Sequence, residues 1–238
     1  LIFTFNIAYT HGLLLTAAIA TMITGVVGAA AYYEFRRILS FCIISQVGYM
    51  VLGLTLFTPL AITGAVFYLL HHMIVKANLF LISGVCRRIG GTMKLEGLGG
   101  FYRHHGWLAF LFFIPAFSLA GFPPLSGFWA KMILIRASLE IDAYIAAAAA
   151  AVVGLLTAYY ITKIRGEAVW NSAPEDHTPP ADGIRATGDI RLVLPIAVLA
   201  AITVIIGLMP GPFLALAEQA AHELLHPEVY VKTVLGGI

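Results

Sequence analysis

The chain has 238 residues, of which 60% are hydrophobic and 11% charged, with a formal charge of +2 and a mean hydropathy of +0.91. Soluble domains carry about 25% charged residues, so too few charges remain here to cover a water-facing surface. The same figures exclude a disordered chain and a basic nucleic-acid-binding surface, and two cysteines exclude a disulfide scaffold.

Apolar runs of about 18 residues or more recur along the chain, and in lipid only helices or closed barrels satisfy their own backbone. Period-2 alternation is absent and Ala146 to Ala151 favours helix, so the fold class is all-α: a polytopic transmembrane helix bundle. Six spans are predicted. The first covers residues 12–33 and closes on Glu34, Arg36 and Arg37; the second covers 38–57 and turns at Thr58-Pro59. The third covers 61–85 and stops at Arg87-Arg88. The fourth, 107–139, is one long passage interrupted by Gly121, Pro123, Pro124 and Gly127. The fifth covers 143–164, and the sixth covers 192–209 and ends at Pro210-Gly211-Pro212. A polar loop rich in Pro, Asp and Gly is expected at about 166–190, and a short interfacial helix at 213–225.

Counting the fourth passage as one broken span sorts the loop cations. Arg36, Arg37, Arg87, Arg88, Lys94, Arg103, Lys163, Arg165, Arg185 and Arg191 fall on one side, and Lys232 on the other beside Glu140, Asp142, Glu218, Glu223 and Glu228. The positive-inside rule places the Arg-rich side in the cytoplasm. With no initiator Met and no signal-peptide pattern, the chain is expected to be the later part of a longer polypeptide, a single membrane domain over 1–238.

Function is sought where polarity is least tolerated. A charge at the bilayer centre costs at least about 2.5–3.5 kcal/mol on insertion scales, which makes an intramembrane Lys a functional candidate by default. Lys76 lies about eleven residues, or roughly 16 Å of helix, from Arg87, beyond easy snorkelling reach of water. Tyr68, His72 and Lys76 follow i, i+4, i+8 spacing and share a face able to hold a file of water and pass protons. His71 points about 100° away around the helix, where a structural hydrogen-bonding role is favoured. Lys131 lies about one turn beyond the break at Gly121, Pro123, Pro124 and Gly127. Irregular backbone at membrane depth is tolerated where it lines a cavity or is buried in protein, and discontinuous helices mark ion sites in transporters. A poorly solvated Lys there holds its proton at a cost and is the best proton-transfer candidate in the chain.

Ser45, Gln46 and Asn78 are supporting polar positions, with hydrogen bonding between helices the plainer role for Ser40, Ser45 and Gln46. Arg136 reads as an outer anchor, His104 and His105 as solvated loop residues, and Cys42 and Cys86 as buried or lipid-facing thiols. No phosphate loop, zinc or iron–sulfur spacing, or nucleophile triad is found, so neither a cofactor nor covalent chemistry is assigned.

The stretch RRILSFCIISQVGYM at residues 36–50 resembles one in the antiporter-like membrane subunits shared by respiratory complex I and the Mrp cation/proton antiporters. HHMIVKANLFLISG at 71–84 is similar to the family's next helix, and SLAGFPPLSGFWAK at 118–131 to its broken helix. The paired histidines, GLGGFYR at 97–103 and LHPEVYVKTVLG at 225–236 point to the D-type branch of the Mrp subunits. The resemblance implies the last six of fourteen spans, with a Glu and two Lys of the proton path on earlier spans outside this sequence. It also implies that Lys131 matches the proton-transfer Lys of the broken helix, and His72 and Lys76 the polar file joining half-channels. Two positions depart from the pattern: Tyr68 stands where complex I relatives often have His, and Cys42 where the D-type relatives commonly have His.

The expected function is therefore the proton-conducting subunit of a multisubunit Na⁺/H⁺ antiporter in the cell membrane, a secondary transporter and not an enzyme. The A-, B-, C-, E-, F- and G-type subunits of the antiporter complex, membrane lipid, protons and Na⁺ are its expected partners, without nucleic acid. The proton-pumping subunit of a complex I-type NADH:quinone oxidoreductase or related hydrogenase stays open as an alternative, as does an assembly scaffold.

Overall fold

A computed structural model describes residues 7–98, 106–166 and 190–226, together with Glu228. The expected loop at 166–190, the GLGGFYR motif beyond Leu98, His104, His105 and the sequence after His226 fall almost entirely outside the described residues. Eight α-helices are described: α1 (Ile7–Ala31), α2 (Phe35–Leu56), α3 (Pro59–Gly90), α4 (Gly106–Ala120), α5 (Ser126–Glu140), α6 (Tyr144–Ile164), α7 (Ile190–Leu208) and α8 (Pro210–Leu225). Among the described residues there is no strand, and α1, α2, α3, α6 and α7 are long and apolar enough to cross a membrane.

Local chemistry sets the corners. Phe57 ends α2 in a left-handed conformation (φ 48°), Thr58 accepts the Ala61 N–H at 3.1 Å, and Pro59 opens α3 where a missing N–H costs nothing. At the other end Gly91 (φ 66°) donates its N–H to the Arg87 carbonyl at 2.8 Å, a glycine stop that frees the chain to turn. The segment after α3 returns to the α1–α2 corner, where Phe35 N–H meets the Met93 carbonyl and Leu95 N–H the Tyr33 carbonyl, each at 2.9 Å. Lys163, from the last turn of α6, donates to the Ala30 and Tyr32 carbonyls at 2.9 and 3.0 Å, with its ammonium 3.3 Å from the centre of the Tyr33 ring. A cation on the carbonyl end of α1 is the favoured arrangement for the helix dipole.

The helices run longer than the hydropathy windows. α1 begins at Ile7, not near residue 12, and α3 continues to Gly90 through Arg87 and Arg88 because its Gly stop lies beyond them. The fourth passage is two helices, α4 and α5, separated by residues 121–125. Gly121 (φ 91°) and Phe122 both return N–H groups to the Phe117 carbonyl at 3.0 Å, which closes α4. Gly127 stands inside the first turn of α5 and not in the interruption where the sequence placed it. The predicted helix at 213–225 starts earlier, at Pro210, and buries Ala217 and Ala221.

α3 is the hub, packed against α2, α4, α5, α7 and α8. Small residues allow the closest approaches. At Gly25 of α1 an added Cβ meets the Ser45 backbone of α2, with Ser45 Cα 2.7 Å away. Gly25→Val is expected to destabilise the bundle by about 1–3 kcal/mol through this overpacking. Thermal unfolding in detergent checks it against Gly12→Ala, where nothing lies within 4 Å of the added methyl.

Candidate functional site

Both membrane lysines are buried, Lys76 at 5% and Lys131 at 7% exposure, and each meets main-chain carbonyls. Lys131 Nζ donates to the Leu119 and Ala120 carbonyls at 2.8 and 3.1 Å. These are the last carbonyls of α4, which the break deprives of helical N–H partners and which form the negative end of that helix. Lys76 Nζ donates to the Leu39 carbonyl of α2 at 3.1 Å and lies beside Cys42. Among the described residues no carboxylate faces either ammonium: the Arg37–Glu34 and Arg136–Glu140 pairs, at 2.8 and 2.9 Å, belong to other places on the bundle.

The stripe on α3 is directed along α2. Tyr68 donates its hydroxyl to Gln46 Oε1, and its ring stacks on Tyr49 at 5.1 Å between centroids. Tyr49 in turn donates to the Ala150 carbonyl of α6 at 2.5 Å, and Lys131 Nζ lies 5.8 Å from the centre of the Tyr49 ring. His72 is buried beside Lys76 with its Nε2 unpartnered. The buried Gln46 Nε2, His71 Nε2 and both amide atoms of Asn78 likewise have no protein partner among the described residues. Buried polar atoms of this kind cost about 1–3 kcal/mol each unless ordered water completes them.

His71 turns away from the stripe and is hydrogen-bonded between helices. Its Nδ1 lies 2.8 Å from Ser126 Oγ, and Ser126 Oγ lies 3.0 Å from Ser118 Oγ, so the imidazole joins the hydroxyl pair that brackets the break. Gly127 permits this approach. A Cβ there would collide with the Ser118 carbonyl and come within 3.0 Å of His71 Cε1. Gly121 does the same for Lys131, whose Cδ would lie 3.1 Å from an added Cβ. Pro124, beside Pro123 in the same interruption, is met from outside by Gly207 of α7, where an added Cβ would lie 2.6 Å from the Pro124 carbonyl oxygen. Trp129 Nε1 donates to the Gly207 carbonyl at 3.0 Å and ties α5 to α7.

Sequence reasoning missed Ser118, Ser126, Tyr49 and Tyr160. Tyr160 donates to Cys42 Sγ at 2.6 Å, which places a phenol beside the thiol and Lys76. The one available signal was that Ser118 and Ser126 flank the Gly/Pro interruption. Ser45 goes elsewhere: its hydroxyl donates to the Met22 carbonyl at 2.9 Å and joins α1 to α2. Arg136 pairs with Glu140 on the exposed surface.

Lys131 also borders open space. An apolar groove of about 650 Å³ runs between α5 and α6, lined by Gly121, Phe122, Lys131, Arg136, Gly154 and Leu155 among others. Lys131 lines this groove while its ammonium contacts main-chain carbonyls. Among the described residues no three His, Cys, Asp or Glu side chains converge as metal ligands.

The family described as "NADH:quinone oxidoreductase/Mrp antiporter, TM" matches residues 1–157. Of the curated relatives, the D-type subunit of the Na(+)/H(+) antiporter of Alkalihalophilus pseudofirmus is 46% identical over 235 residues, 99% of this chain and 47% of the relative. The protein of the same name in Bacillus subtilis is 34% identical over the same shares. A solved chain from the "Structure of Mrp complex from Dietzia sp. DQ12-45-1b" aligns with a TM-score of 0.85 and 34% identity, covering 95% of this chain and 49% of that one. The chain therefore spans about half the length of the relatives it matches.

The Tyr68–Gln46 bond gives a test of how the α3 stripe is held. Tyr68→Phe strips Gln46 of its remaining partner and is expected to cost about 1–3 kcal/mol, whereas Gln46→Leu added to it recovers part of the loss. Thermal midpoints of the single and double variants measure both.

Proposed function

The chain belongs to the NADH:quinone oxidoreductase/Mrp antiporter transmembrane family, and on that premise we propose that it is part of the proton-conducting subunit of a multisubunit Na⁺/H⁺ antiporter. Lys131 is the proton-transfer group, and His72 and Lys76 continue the path, with His71, Tyr68, Gln46 and Asn78 lining it. The observation that carries this reading is a buried ammonium that meets main-chain carbonyls at a helix break, with no carboxylate facing it among the described residues, beside a groove.

The chemistry follows from that arrangement. A buried Lys–carboxylate pair is locked by mutual attraction, because removing either charge strands the other. Carbonyl dipoles hold the ammonium less firmly, so the protonated and neutral states are more readily exchanged. A unit charge arriving about 10 Å away shifts the balance by about 1.7 kcal/mol at an effective dielectric constant of about 20, more than tenfold in occupancy. Cation movement elsewhere in the complex can thus eject or recruit the proton on Lys131. Water completing the unpartnered atoms of His71, His72, Gln46 and Asn78 would supply a hydrogen-bonded file between the lysines.

Na⁺ as the exchanged cation and the A-, B-, C-, E-, F- and G-type subunits as partners, in the cell membrane, belong to the same proposal. It is supported by the names of the D-type relatives and by the family resemblance. The family description also covers quinone oxidoreductases, and copurification with quinone-reductase subunits would favour that second reading.

Lys131→Ala in the full-length subunit, assembled in its complex and measured in vesicles, is expected to lower antiport at least about tenfold, equivalent to ~1.4 kcal/mol in a barrier. Lys131→Arg keeps the charge but does not release a proton, and is expected to be equally inactive. Normal antiport by either assembled variant would remove Lys131 from the path. A scaffold role predicts altered assembly with normal flux per assembled complex.

A further inference from the structure

Four arginines from three helices converge at the α2-start, α3-end corner of the bundle. Arg36 stands in the first turn of α2, Arg87 and Arg88 in the last turn of α3, and Arg191 in the first described turn of α7. Together they line a groove of about 550 Å³, a size typical of sites that take small organic molecules. Among the described residues no carboxylate lines it, and its lining includes the apolar Phe80 and Leu81 from α3 and Leu192 from α7.

Helix electrostatics do not account for the whole of this cluster. Arg87 and Arg88 complement the negative end of α3, but Arg36 sets a cation against the positive end of α2, where an acid is favoured. Its neighbour Arg37 is paired with Glu34 at 2.8 Å, whereas Arg36 lines the groove. Arg36, Arg87 and Arg88 set like charges around one cleft, and an anion seated among them relieves both that repulsion and the conflict at the start of α2.

The geometry points to a binding site for the headgroup of an anionic phospholipid, with its phosphate held by the arginines and its acyl chains laid along α3 and α7. Guanidinium forks match phosphate oxygens in bidentate fashion. The apolar lining residues argue for a lipid over a soluble anion, and further along the same helices Met73 and Val198 are exposed and apolar, at 52% and 48%. The arginines also belong to the side that charge bias assigns to the cytoplasm, where anionic lipid and basic clefts between helices meet. The inference stands independently of the antiport reading.

The test is lipid retention by the full-length protein in its complex, delipidated in detergent and re-supplied with phosphatidylglycerol, cardiolipin or phosphatidylethanolamine, with bound lipid counted by native mass spectrometry. The anionic lipids are expected to be retained at least about tenfold better than the zwitterionic one, and this preference is expected to fall in the Arg36→Gln/Arg88→Gln double variant and at high salt. Equal retention of the zwitterionic lipid, or a preference unchanged in the double variant, would overturn the site. Displacement of the lipid by inorganic phosphate alone at equal concentration would mean a free-anion site instead, and polypeptide filling the groove in a map of the complex would mean a subunit interface. If the double variant does not fold, the wild-type comparison decides: a preference indifferent to salt overturns the proposal.

Discussion

A helix that stops at membrane depth leaves carbonyls with neither an N–H partner nor bulk water, and here a lysine satisfies two of them. The contact of Lys131 with Leu119 and Ala120 makes the break in the fourth passage tolerable, and the break gives the ammonium a place to be buried. The surroundings serve this exchange: Gly127 lets α5 start against Ser118, and Gly207 lets α7 close over Pro124 and Leu125. Trp129 then pins the two helices with one hydrogen bond. Glycines at these approaches substitute backbone contact for side-chain volume, the common solution where lipid supplies no hydrophobic drive between helices.

α3 connects this break to the rest of the bundle by facing two ways. His71 turns to the hydroxyl pair at the break, while Tyr68 and Lys76 are directed to α2, where they meet Gln46 and the Leu39 carbonyl. Adjacent histidines therefore belong to different surroundings, one tied to the mobile-proton candidate on α5 and one to the second buried lysine.

The all-α class and both lysines are legible in the sequence because hydropathy makes a buried cation conspicuous, and Gly121, Pro123 and Pro124 announce the interruption. Helical spacing also places Tyr68, His72 and Lys76 on a shared face. What spacing does not supply is the neighbour each face meets. On spacing alone His71 points away from the stripe, and it does point away, towards Ser126. Ser45 looks like a companion of Gln46, but one helical step turns its hydroxyl to Met22 of α1. The approach of Tyr160 to Cys42 joins residues 118 positions apart, and no local pattern carries such a contact. Helix ends depart from the hydropathy windows where caps decide them, as at Gly91 and Pro210.

The stacked Tyr49 and Tyr68 rings have an electrical consequence. Both hydroxyls are donated outward, to Ala150 and Gln46, so the next neighbour of Lys131 in the direction of α2 is a plate of aromatic carbon. Such a plate screens a field far less than water does, so a charge on Lys131 is sensed beyond the rings, on the α2 side of the bundle.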